Sequence, residues 1–356
     1  MRFIRHLSRL LLGLAFFSTS HAAVILQYHH INDSTPTATS IAPDIFKQHI
    51  DYIHENGFEV WSLPRLVKAI EHGEALPDKL VAITFDDGYE SVATNVLPIL
   101  RKRGYPFTVF VTPAMVGKHL YMDWETLKGL QAQGGTIANH THRHPHLVRR
   151  QSGESEEEWK TRIRDELSTA EQHIQQHMGG APGLFAYPYG EFNGTVKSIV
   201  REFGMFGFAQ HSGAFDREVD RQEIPRFAFG GPYTDMQGFI EKVNSLAMPL
   251  RSVHVTDQKG RPLLEPLLPA SSARPTLILE LDSAELARRV SCFASGQGRI
   301  KTQVDGQTVT ATVNRDLPVG RSRINCTAAS SKPGRYYWHS QFFMRKHPDG
   351  SWYQEP

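Results

Sequence analysis

Cysteine is nearly absent from this chain. Among 356 residues there are only Cys292 and Cys326. Neither lies near the N-terminus, which excludes a lipid-anchored cysteine there. In an exported protein the pair reads best as one disulfide, worth ~3–4 kcal/mol by loop closure, with two buried free thiols as the other reading. Long apolar runs are also missing. The one near the start, Leu10 to Phe17, is too short to span a bilayer comfortably. There is no internal repeat and no low-complexity tract.

What the start does contain is Arg2, Arg5 and Arg9 ahead of that apolar run, then Ser20-His21-Ala22, the layout of a secretory signal cleaved after Ala22. Its three arginines explain the formal charge of +2: taking them from 39 basic residues leaves 36 against 37 acidic ones, a net of −1. Nothing then suggests a polyanion, so no nucleic-acid partner is expected. The mature chain is expected in the periplasm or outside the cell, without stable membrane insertion. Its oligomeric state is left open. A hydrophobic content of 40% describes an ordinary globular protein with ample core.

Short apolar segments alternate with helical periodicities from Val24 to about residue 250. Strands are predicted over Val24–Tyr28, Leu80–Phe85, Phe107–Val111, Gly135–Asn139, Leu184–Tyr187, Met205–Ala209 and Ile224–Phe229. Helices fall between them, the longest from about Ser155 to Met178 and one near Ser91–Arg103. This order predicts an α/β fold, a largely parallel sheet covered by helices and either open or closed into a barrel. After Pro249 the pattern changes. Residues 251–275 hold four prolines and read as a linker, and residues 276–356 as short strands with an Asp305-Gly306 hairpin turn. Together with the cysteine pair they suggest a small β-sandwich, immunoglobulin-like in outline. Its aromatics, among them Trp338, Phe342, Trp352 and Tyr353, fill a core or stack on sugars.

Two stretches carry chemistry. Leu80-Val81-Ala82-Ile83-Thr84-Phe85 runs into Asp86, Asp87 and Gly88, so two carboxylates sit at the C-terminal end of a strand, where such folds collect reactive groups. Capping of a loop or helix is the bland alternative. Asn139-His140-Thr141-His142-Arg143-His144-Pro145-His146 follows another strand. The spacing of His140 and His144 would lay both imidazoles on one face of a helical turn. Two imidazoles and one carboxylate make a three-ligand site with an open position, leaving the second carboxylate to act as a base on water.

Thr84-Phe85-Asp86-Asp87-Gly88 with His140-Thr141-x-x-His144-Pro145 resembles the polysaccharide deacetylase family, the NodB-homology carbohydrate esterases. Tyr28-His29-His30 and Phe185-Ala186-Tyr187-Pro188-Tyr189-Gly190 are most similar to its exported branch acting on poly-N-acetylglucosamine. The likeness covers residues 24–250. It implies a distorted (β/α) barrel, Asp86 as general base, and Asp87, His140 and His144 as ligands of a divalent metal, Zn2+ first with Co2+, Ni2+ or Fe2+ as alternatives. It further implies that the Tyr189 backbone N–H serves an oxyanion, and that the partner is an acetylated polysaccharide.

Two positions depart from the family. The arginine expected three residues before Tyr189 is Ala186; Arg226 from a neighbouring strand is the expected substitute, with a surface salt bridge as the other reading of that residue. The general acid is unassigned, with His211, His254 and His29 as candidates and His211 favoured. The activity expected is N-deacetylation of an N-acetylglucosamine-containing glycan. An O-acetyl esterase or an inactive glycan-binding protein are the alternatives.

Overall fold

The computed structural model describes residues 22–269 and 272–355. Apart from Ala22, the expected export signal lies outside the described residues. Eight strands form a parallel sheet: seven follow the spatial order Phe227–Ala228, Ala23–Tyr28, Leu80–Phe85, Phe107–Val111, Gly135–Asn139, Leu184–Ala186, Phe206–Phe208, and Glu59–Val60 pairs with the start of Leu80–Phe85 off this path. Ala23–Tyr28 and Leu80–Phe85 are buried at every position, as a sheet covered on both faces requires. Ile224 bridges Phe208 in parallel, while Phe227–Ala228 pairs with Leu26 and Gln27. One segment thus joins the two edges, and the sheet curls into a distorted barrel. Its strands end on one rim, with Asp86 directly after Phe85 and His140 directly after Asn139.

Helices clad the barrel. Glu156–Met178 starts at a capping box in which Ser155 and Glu158 exchange side-chain and backbone hydrogen bonds, and it ends at left-handed Gly179. Its buried face holds the anticipated Trp159, Ile163, Leu167, Ala170 and Ile174, but also Glu166. The single helix expected near Ser91–Arg103 is instead a π-helical turn, Val92–Val96, followed by a short α-helix, Leu97–Arg101. Pro98 supplies no N–H, which removes a rung from a continuous helix there. Among the described residues no helix is long and apolar enough to cross a membrane.

The C-terminal region builds two further sheets. One orders Leu246–Ala247, Tyr336–Arg345, Gly320–Ala329, Ser291–Ala294 and Gly298–Arg299; the other orders Leu250–Thr256, Thr276–Leu281, Thr308–Thr312 and Lys301–Asp305. Leu277, Leu279 and Val309 of the second sheet share a buried cluster with Ile324, Ala328 and Phe343 of the first, which makes a β-sandwich.

Two details differ from the sequence reading. Cys292 and Cys326 are bonded, but they face each other on neighbouring strands of one sheet, whereas an immunoglobulin domain bridges its two sheets. Residues 251–256, read as part of a linker, belong to the strand Leu250–Thr256, which pairs with Thr276–Leu281. The four prolines that suggested a linker all follow this strand. The domains are also joined by pairing, since Leu246–Ala247 runs parallel to Tyr337–Trp338.

Candidate active site

Asp86 points inward from the rim and is fully buried. Arg226 holds it with two hydrogen bonds, Nη1 to Oδ1 at 2.7 Å and Nη2 to Oδ2 at 2.8 Å, and Gln27 Nε2 donates to Oδ2 at 2.7 Å. Arg226 is itself fixed by donating from Nε to the Ala209 carbonyl at 2.9 Å. Burial alone would raise the Asp86 carboxyl, but the charges of Arg226 and His140 outweigh it and hold the group below the usual range. Gln27 escapes the motifs, and its signal is a polar residue in the otherwise apolar run Ala23–Tyr28.

Asp87 turns the other way, toward the rim, with a left-handed φ of 72° that lets the chain reverse at Gly88. It meets His140 and His144. Their loop is not the helical turn expected from the spacing. Asn139 Oδ1 accepts from the Thr141 N–H at 2.9 Å and Thr141 Oγ1 from the His144 N–H at 2.9 Å, while Thr141 and His144 adopt φ of 64° and 60°. These side-chain acceptors take the backbone donors that a helix would use. The Glu156–Met178 helix backs the loop: Glu166 accepts the Arg143 N–H at 2.8 Å, and its carbonyl accepts the His142 N–H at 3.0 Å.

The donor set suits a divalent ion. Asp87 Oδ1 lies 3.4 Å from Nε2 of both His140 and His144. Ligands about 2.0–2.1 Å from a tetrahedral ion stand about 3.3–3.4 Å apart. His140 Nδ1 donates to the Ala186 carbonyl at 2.8 Å, which leaves the Nε2 lone pair facing Asp87. Asp86 has a guanidinium for its charge. Asp87 has imidazoles and the Tyr89 hydroxyl beside it and, among the described residues, no lysine or arginine ion pair. A second group of possible ligands, His146, Glu191 and Glu355, is different, because Arg149 and Arg321 already neutralise its carboxylates.

Tyr189 follows Pro188 in a tight turn, with a φ of 59°. Its ring lies 4.5 Å from that of His144 and stacks on His146 at 3.8 Å. Of the three candidate acids, His29 is the one at the site, with Nε2 4.0 Å from Asp86 Oδ2. His211 is buried, and its carbonyl accepts the Arg226 N–H at 3.1 Å. Its ring lies beside Phe192, and Arg323, His339 and Lys197 are the charges that act on it. His254 stands exposed on Leu250–Thr256, paired with Ile278 in the second domain.

With this geometry in hand, residues 73–207 match the family profile described as polysaccharide deacetylase. The poly-beta-1,6-N-acetyl-D-glucosamine N-deacetylase of Escherichia coli (strain K12) is 23% identical over 241 residues, covering 57% of this chain and 36% of that protein. This chain thus spans about a third of that relative's length. The enzyme of the same name from Staphylococcus aureus (strain MRSA252) is 24% identical over 215 residues, covering 57% of this chain and 74% of that protein. Among solved structures, IcaB from Ammonifex degensii superimposes with a TM-score of 0.54 at 26% identity, covering 60% of this chain and 94% of that one. The barrel that carries Asp86, Asp87, His140 and His144 thus contains a polysaccharide deacetylase domain, matched over residues 73–207.

Proposed function

We propose that this protein is an exported, metal-dependent deacetylase that removes N-acetyl groups from an N-acetylglucosamine-containing glycan. The observation that carries the reading is the equal 3.4 Å spacing of Asp87 Oδ1 from two imidazole nitrogens, beside a second carboxylate clamped by an arginine. Asp87, His140 and His144 would hold the ion. When bound, it supplies Lewis acidity, polarising the acetyl carbonyl and lowering the pKa of water toward ~7. Asp86, kept ionised and oriented by Arg226, takes the proton from the attacking water. The Tyr189 N–H donates to the oxyanion that forms on the acetyl carbon. His29, partly exposed beside Asp86, would protonate the departing amine. His211, which the sequence reading favoured for this step, has no part in it.

The test is metal analysis together with acetate release from poly-N-acetylglucosamine, peptidoglycan, chitin fragments and O-acetylated xylan. The expected protein carries about one divalent ion, releases acetate from an N-acetylated glycan, and loses both properties in His140→Ala. Release from O-acetyl substrates alone would overturn the amide reading, and a protein that binds no divalent ion would overturn the mechanism.

A further inference from the structure

The turn that presents Tyr189 is held from the second domain. Glu191, two residues on, is fully buried and accepts from His146 Nδ1 at 2.8 Å. Its other oxygen takes the Tyr353 hydroxyl and lies 3.3 Å from Arg321 Nη1. Arg321 comes from the Gly320–Ala329 strand of the sandwich and Tyr353 from the C-terminal segment. Glu355 completes the frame by bonding both terminal nitrogens of Arg321, at 2.9 and 2.6 Å. Arg321 also stands over the Tyr189 ring, its Cζ 5.6 Å from the centroid. Contact therefore runs without a break from Arg321 and Tyr353, through Glu191 and His146, to Tyr189 and the ring of His144.

A second tie joins the domains at the opposite end of the barrel. Asp78, just before the Leu80–Phe85 strand, pairs with Arg335 at 2.6 Å and Lys332 at 3.0 Å. Domain attachment thus has an anchor remote from the chemistry, and the Arg321 frame sits on the rim where the chemistry is.

Resting on the deacetylase reading above, we infer that the β-sandwich is a working part of the active site, with Arg321 and Tyr353 as positioning residues for Tyr189. Misplacing a group at the reacting centre by a fraction of an ångström costs rate while leaving the ligands of the ion intact. The substrate class is unchanged by this assignment. What it adds is that the barrel alone presents an incompletely fixed oxyanion donor.

The experiment uses the full chain and compares Tyr353→Phe, Arg321→Gln, Arg321→Lys and the remote control Asp78→Asn. Acetate-release kinetics, bound metal and thermal unfolding are measured on each. Tyr353→Phe and Arg321→Gln are expected to lower kcat ~10–100-fold with KM and metal content near wild type. Arg321→Lys should recover part of the loss, and Asp78→Asn should keep the wild-type kcat. Wild-type kcat in both Tyr353→Phe and Arg321→Gln, or an equal fall in Asp78→Asn, would overturn the inference. Tyr353→Phe is nearly isosteric, so the question stays answerable if Arg321→Gln does not fold. If wild-type protein releases no acetate from any glycan, the deacetylase reading fails by itself. The frame is then judged by NMR of nitrogen-labelled histidine in metal-free protein: a shifted His146 ring signal in Tyr353→Phe supports it and an unshifted one overturns it.

Discussion

Arg226 grips Asp86 across 140 residues of sequence, with both side chains fully buried and both carboxylate oxygens engaged. A lysine keeps the charge but cannot fill a two-point fork. Arg226→Lys is therefore expected to fold and bind metal while losing ~10–100-fold in kcat. Arg226→Met strands a buried carboxylate and should cost about 3–5 kcal/mol of stability. Denaturant unfolding and acetate release on both variants check this, and a fully active Arg226→Lys would count against the clamp.

Asp86→Asn keeps the size of the side chain but cannot take a proton, and its amide nitrogen replaces one of the two oxygens that accept from Arg226. Turnover should fall by roughly 10²–10⁴-fold, the usual worth of general-base catalysis, with the ion still bound. Metal analysis beside kinetics separates this outcome from a collapsed site.

His29 is needed only if the leaving group is a poor one. His29→Ala should slow release from an N-acetylated glycan ~100-fold or more, yet barely change hydrolysis of an activated aryl acetate, whose phenolate leaves without a proton. Equal losses on the two substrates would show that His29 acts before bond cleavage.

Acid should unfold the protein through histidines far from the metal ligands. Burial pushes His49 and His211 down to about 3 from the usual 6.5. For His211 the charges of Arg323, His339 and Lys197 add to the effect. For His49, Lys242 lowers it further, while Asp235 and the Thr234 backbone partly oppose. The unfolded chain then binds more protons below pH 6.5, so stability falls as pH drops from about 6.5 toward 3 and is flat above. Each histidine contributes a slope of up to about 1.4 kcal/mol per pH unit. Urea midpoints from pH 7 to 5 should flatten measurably in His211→Gln.

Cys292 and Cys326 close a loop of 34 residues. Replacing both by alanine should remove about 3–4 kcal/mol from the stability of the second domain. The metal content of folded protein should be unaffected, since neither sulfur is near the barrel rim. Calorimetry with and without reductant checks it.

Much of the site could be read from the sequence because its residue types are chemically rare: an aspartate pair ending an apolar strand, and imidazoles four apart after another. The structure brings Asp87, His140 and His144 together, and lays Arg226 on Asp86 from the strand where a substitute for the missing arginine was sought. Other features depended on long-range packing. His211 and His29 both follow strands, and only closure of the barrel shows that His29 faces Asp86 while His211 faces Phe192. The histidine spacing suggested a helix, but capture of backbone N–H groups by Asn139 and Thr141 has no period to detect. The Arg321–Glu191 contact spans 130 residues and two domains, so no local pattern marks it.

The left-handed backbone at Asp87, Thr141, His144 and Tyr189 constrains how this site can evolve. Aspartate, asparagine and histidine tolerate that conformation, whereas β-branched and bulky residues do so at a cost of order 1–3 kcal/mol unless the surroundings enforce it. Thr141 and Tyr189 are of the costly kind, so there the surroundings enforce the conformation, and drift at Asp87 and His144 is funnelled toward aspartate, asparagine, histidine or glycine. Homologues that abandon deacetylation should keep a recognisable backbone here after their ligands have gone, a fossil of the site written in torsion angles.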